Sequence, residues 1–161
     1  MLWDLLAIFE RSPELSSRLL EKVQPATDSP EDIVRKARGI IQTFREGELV
    51  ATLNAHPRIG DDVRALSELS WREQGADQTP MTLAELKRLN DEYEQRFGFR
   101  FVVFVNGRSK ADLIPVIRER LTRTRDSELR TGIEEFLAIS LDRLQRARDD
   151  ETVRQAMDVD S

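Results

Sequence analysis

Phe101-Val102-Val103-Phe104-Val105 is the stretch that most limits how this chain folds. Five consecutive apolar residues, three of them β-branched, closed by Asn106-Gly107, have the composition of a buried strand. A strand needs a neighbour to take up its backbone hydrogen bonds, and the sequence shows no partner for this one. The segment is therefore expected to be a short extended or helical piece buried in a core built by other elements, with tertiary context overriding propensity.

Those other elements are helices. Ser12-Pro13-Glu14, Ser29-Pro30-Glu31-Asp32, Thr82-Leu83-Ala84-Glu85 and Ser109-Lys110-Ala111-Asp112 each set a capping side chain before an acidic first turn, which predicts N-caps at Ser12, Ser29, Thr82 and Ser109. Ile33, Ala37, Ile40, Ile41 and Phe44 fall on one helical face. So do Leu83, Leu86, Leu89, Tyr93 and Phe97, and later Ile133, Phe136, Leu137, Ser140 and Leu144. The expected fold class is all-α, a compact multi-helix bundle holding one short extended apolar segment near 101–105. Periodicity is lost after about Arg148, so one helical domain is expected over residues 1–148, with 149–161 as a frayed tail.

Composition narrows the function classes. The 161 residues carry a net charge of −5 with 34% charged residues. The signs are interleaved, with no basic stripe, which argues against a nucleic-acid partner. No apolar run approaches the roughly 18 residues that span a bilayer, and the start MLWDLLAIFERS lacks the basic region and cleavage site of a signal peptide. A soluble cytoplasmic protein is expected, with no membrane partner. Zero cysteines and one histidine leave no thiolate nucleophile, disulfide or His/Cys metal site, and no D-x-D-x-D-G loop is present, so no metal is expected.

The single histidine, His56, sits in Leu53-Asn54-Ala55-His56-Pro57-Arg58-Ile59-Gly60. Its spacing from Leu49 and Leu53 puts it on an apolar helical face, and Pro57 should end the helix there. A helix C-terminus favours the imidazolium and burial favours the neutral ring, so spacing alone leaves the direction of any pKa shift open. It also leaves open whether His56 is a packed residue bonded to a carbonyl or an acid–base group.

Ser70-Trp71-Arg72-Glu73-Gln74 fits a capping box, but Gly75, Asp77 and Pro80 follow instead of an apolar periodic run. Ser70 and Glu73 are thus either a cap or polar groups mounted on a short turn. Arg143, seven residues after Phe136 and four after Ile139, lies at the edge of an apolar stripe where a guanidinium needs an anionic partner. That partner is either an internal carboxylate or a substrate.

Taken together, His-Pro-Arg-Ile-Gly at 56–60, Ser-Trp-Arg-Glu-Gln at 70–74 and YEQRFGFRFVVFVNGRS from Tyr93 to Ser109 resemble the 2-oxo-4-hydroxy-4-carboxy-5-ureidoimidazoline (OHCU) decarboxylases of urate degradation. The order and spacing of three separate motifs carry the resemblance, which spans roughly residues 5–146 and is strongest from Leu53 to Ser109. It implies an all-helical bundle in which the Phe-Gly-Phe-x-Phe-Val stretch lines the active site. It implies His56 as the catalytic residue and Pro57, Ser70, Glu73, Phe101, Val103 and Arg143 as substrate-binding residues. The chain has Ile-Ser-Leu-Asp-Arg-Leu where the family more often shows Ile-Ala-x-x-Arg-Leu, and its N-terminal third is shorter.

The implied activity is conversion of OHCU to (S)-allantoin. The substrate's own imidazoline C=N can take the electron pair released on decarboxylation, so no cofactor is expected, in keeping with a chain that has no cofactor motif. The protein's tasks are then orientation and the handling of one proton. The implied partner is a small-molecule substrate, with a homodimer left open. Two other readings compete: a non-catalytic helical interaction module of the same fold, and a sister lyase acting on a related ureido or imidazoline acid.

Overall fold

The computed structural model describes residues 5–10, 12–60 and 79–159, and among them it contains helices and no strand. The helices are α1 (Leu5–Ile8), α2 (Pro13–Lys22), α3 (Pro30–Ile41), α4 (Glu46–Asn54), α5 (Pro80–Phe97), α6 (Lys110–Arg120) and α7 (Arg125–Val159). The path of α7 continues through Val159, past the point near Arg148 where apolar spacing is lost.

Two of the expected starts are full capping boxes. Ser29 Oγ accepts from Asp32 N at 3.1 Å while Asp32 Oδ2 accepts from Ser29 N at 3.0 Å. Ser109 and Asp112 repeat the arrangement at the head of α6. Ser12 occupies the N-cap of α2, but its hydroxyl donates to Glu14 at 3.3 Å instead of accepting from the backbone. The start predicted at Thr82 lies one turn earlier. Thr79 is the cap, accepting from Thr82 N at 3.2 Å, because Pro80 at the first helical position has the fixed φ that begins a helix and no N–H to leave unsatisfied.

The apolar faces converge as their spacing predicts. Ile33, Ala37, Ile40, Ile41 and Phe44 are buried, as are Ile133, Phe136, Leu137, Ser140 and Leu144. α7 is the central member, with α3, α4, α5 and α1 against it, while α2 packs on α3 and α4, and α6 packs on α5.

The segment 101–105 is extended and runs through this interior, with Phe101, Val102, Val103 and Val105 all buried. Having no sheet, it takes hydrogen bonds from arginines. Arg120 Nη1 donates to Val102 O at 2.7 Å, Arg108 Nη2 to Phe104 O at 2.6 Å, and Arg108 Nε to Val105 O at 3.1 Å. Guanidiniums replace the missing strand because each offers several donors in a planar fork on a long stem. Asn106 and Gly107 then turn the chain into α6 with φ values of 49° and 76°.

Candidate functional site

The loop after α4 is built to hold one imidazole. Ala55 caps the helix and His56 N donates back to Leu53 O at 3.1 Å; Pro57 then keeps the helix from continuing. The next residues are fastened to α5. Arg58 bridges to Asp91 at 2.5 Å and Glu94 at 3.1 Å, and Asn90 Nδ2 donates to Ile59 O at 3.0 Å. Gly60 takes φ 89° over Leu83 and Leu86, a left-handed conformation that strains any residue with a Cβ. On the other side Arg100 Nη1 donates to His56 O at 2.8 Å and to Asn54 O at 2.9 Å.

The His56 side chain that results is 5% exposed and meets Phe136 edge-on, with ring centroids 5.0 Å apart. Burial, reinforced by the nearby Arg143 charge and opposed by Glu10, pushes its pKa down to about 3. Desolvation therefore overrides the helix-end dipole, and at neutral pH the ring is uncharged, able to accept a proton at one nitrogen or donate from the other. Its Nε2 is buried without a hydrogen-bond partner among the described residues.

His56 and Pro57 line one cavity together with Phe101 and Val103 of the extended segment and Arg143 of α7. Five residues singled out in the sequence, from three separate stretches, thus meet at one place. Ser70 and Glu73 lie outside the described residues.

Arg143 has the internal carboxylate partner considered for it. It is 4% exposed, with Nη2 bonded to Glu10 Oε1 at 2.9 Å and Nη1 to Ile8 O at 3.0 Å, so an internal carboxylate and the carbonyl end of α1 hold it. It is also part of the cavity wall beside His56. Glu10 reaches this position from a left-handed backbone, φ 52°, at the turn that ends α1. Among the described residues no cluster of three His, Cys, Asp or Glu side chains is arranged to hold a metal ion.

Behind the cavity wall stands a buried polar triad. Tyr93 Oη and Arg120 Nε both donate to Glu128 Oε1, at 2.6 and 2.7 Å, and the Arg120 guanidinium lies 4.5 Å from the Phe101 ring centroid. Burial and the bond to Glu128 hold the Tyr93 phenol protonated, far above its usual range. Because Arg120 also grips Val102 O, the triad fixes the strip of backbone that carries Phe101 and Val103.

Sequence reasoning did not single out Glu10, Arg100, Arg120 or Asp142. For Asp142 a signal was present: Ile139, Asp142, Arg143 and Arg146 follow i, i+3, i+4, i+7 spacing, and all four line the cavity. For the others there was none. Glu10 lies 133 residues from its partner, and no local period connects them.

The model of the family described as OHCU decarboxylase matches residues 2–145. The chain belongs to that family. Among curated relatives, it is 31% identical over 138 residues to a uric acid degradation bifunctional protein of Bacillus sp. (strain TB-90), covering 82% of this chain and 27% of that protein. It is 28% identical over 142 residues to the 2-oxo-4-hydroxy-4-carboxy-5-ureidoimidazoline decarboxylase of Halalkalicoccus jeotgali, covering 86% of this chain and 79% of that one. The chain thus spans little more than a quarter of the bifunctional relative's length. The fold is also that of an OHCU decarboxylase crystallised in the presence of (S)-allantoin, with a TM-score of 0.73 at 21% identity, covering 90% of this chain and 97% of that one. No helix among the described residues is long and apolar enough to cross a membrane.

Proposed function

We propose that this member of the family converts OHCU to (S)-allantoin without a cofactor, in the cytoplasm, using a single helical domain over about residues 1–148. The observation that carries the reading is His56: the chain's only imidazole is buried and neutral, its Nε2 has no partner among the described residues, and it lines a cavity together with Arg143. The relatives named for this reaction support it.

Decarboxylation breaks one carbon–carbon bond, releases CO2 and sends the electron pair into the ring's C=N. One proton delivered from one face to the ring carbon that bears the ureido group sets the configuration, and passage of the hydroxyl proton to the ring nitrogen, leaving a carbonyl, completes the exchange. Arg143 faces the substrate's carboxylate with a positive charge whose orientation Glu10 and the α1 carbonyls fix. Phe101, Val103 and Pro57 supply an apolar wall that raises the energy of the carboxylate relative to neutral CO2. His56 moves the proton. A bound carboxylate offsets the Arg143 charge that disfavours imidazolium, so substrate itself makes the ring more basic when a proton has to be taken up. Ser70 and Glu73 are assigned to the ureido and ring N–H groups of the substrate.

The test is to generate OHCU from urate in situ and follow chiral allantoin by circular dichroism against the uncatalysed decay. Enantiomeric signal is expected with wild type and a kcat about 10²–10⁴ lower with His56→Asn, at a melting temperature close to wild type. Absence of chiral product with wild type overturns the assignment in favour of a related substrate or a non-catalytic module. Full turnover in His56→Asn removes His56 from the chemistry.

A further inference from the structure

Asp142 lies one residue before Arg143 on α7 and lines the same cavity as His56. Its Oδ2 is buried and accepts no hydrogen bond among the described residues. The Nε of Arg146, which lines the same cavity, comes within 2.9 Å of that oxygen as an ion pair but out of line for a hydrogen bond, and the Arg146 side chain is 65% exposed. A carboxylate oxygen is an obligate acceptor, and one shut away from water without a donor is an unfavourable arrangement unless a ligand supplies the N–H or O–H.

We infer that Asp142 is a specificity-determining substrate-binding residue that accepts N–H bonds from the ureido or ring amide groups of the ligand; the inference rests on the decarboxylase reading above. The chemistry of such a ligand matches the cavity by sign. One part is a carboxylate, suited to the Arg143 cation, and the rest is a ring and urea rich in N–H donors, suited to an acceptor-only group. The unpartnered oxygen of Asp142 and the unpartnered Nε2 of His56 are then the two ends between which a polar heterocycle is held. A simple carboxylic acid of similar size, with no N–H to offer, leaves that oxygen without an aligned donor and sets its own charge against the Asp142 carboxylate, which makes the residue a filter as well as a contact.

The experiment compares wild type with Asp142→Asn in two assays: KM and kcat on OHCU made in situ, and calorimetric binding of (S)-allantoin, which retains the ureido group. The amide presents donors where the ligand has donors, so KM and the allantoin Kd should both rise about tenfold or more while kcat changes less than about threefold. Asp142→Glu, which keeps the acceptor, should recover part of the loss. Unchanged KM and Kd in Asp142→Asn overturn the inference. So does an Arg146→Gln variant that reproduces the whole loss, because Asp142 would then act only by holding Arg146. If Asp142→Asn does not fold, Asp142→Ser takes its place with the same outcomes. Wild type that binds allantoin but makes none defeats the proposed reaction and leaves the binding comparison to decide Asp142.

Discussion

Arg100 donates through one Nη1 to the carbonyl of His56 at 2.8 Å, and it stands immediately before Phe101, the first residue of the extended cavity wall. The same nitrogen reaches Asn54 O, and Arg100 N donates to Asn54 Oδ1 at 3.0 Å. The end of α4, which presents the imidazole, and the start of the wall opposite it are therefore one hydrogen-bonded unit. Arg100→Met should leave the helices intact, cost about 1 kcal/mol of stability, and lower kcat/KM about tenfold through misplacement of His56. Kinetics and melting on one preparation check this; unchanged kcat/KM would confine Arg100 to a structural tie.

His56 makes stability depend on pH with a definite sign. Its folded pKa is pushed down to about 3 from an ordinary value of 6.5, so between these values the unfolded chain binds a proton that the folded one does not. Its contribution is fully present above pH 6.5 and is lost as pH falls, by about 1.4 kcal/mol per unit, or about 2 kcal/mol between pH 7 and 5. Urea denaturation at the two pH values should show this loss in wild type and a smaller one in His56→Asn. Identical pH dependence in the two proteins would place the ring in water.

Arg143 and Glu10 can be separated by what each substitution changes. Arg143→Lys keeps the charge but loses the fork that reaches Glu10 and Ile8 O together, so it should cost about 1.5–3 kcal/mol and raise KM severalfold. Glu10→Gln removes the internal carboxylate and should lower stability comparably, with a smaller change in KM. Equal KM for wild type and Arg143→Lys would reduce the pair to an internal ion pair.

The Tyr93–Glu128–Arg120 triad predicts a larger structural effect. Glu128→Gln neutralises a fully buried carboxylate bonded to Arg120 and leaves a buried cation uncompensated, a change of about 3–5 kcal/mol. Tyr93→Phe removes one bond to Glu128 and no charge, so its cost should be nearer 1–2 kcal/mol. Chemical denaturation of both variants tests the order, and a Tyr93→Phe cost equal to that of Glu128→Gln would show that charge compensation is not what holds the triad.

Local chemistry in the sequence determined a good deal of this protein. Ser29 and Ser109 announce their helices because a capping box is complete within four residues, and the face from Ile33 to Phe44 is buried because a 3.6-residue period has one way to hide it. The motif around His56 and the Phe101–Val105 run were legible for a similar reason: a proline that ends a helix and an unpartnered apolar run are features of neighbouring residues. Even there the helix at Pro80 begins a turn before the expected Thr82, since proline and threonine both signal a start and only the backbone chooses between them. What tertiary structure alone decided is electrostatic and long-range. The direction of the His56 shift depended on how deeply Phe136 and the cavity wall bury the ring. Arg143 found its carboxylate at Glu10, and the apolar segment found a donor for Val102 O in Arg120. Those pairings follow from which surfaces the packed helices bring together, and desolvation and Coulomb terms act on that final arrangement, not on spacing along the chain.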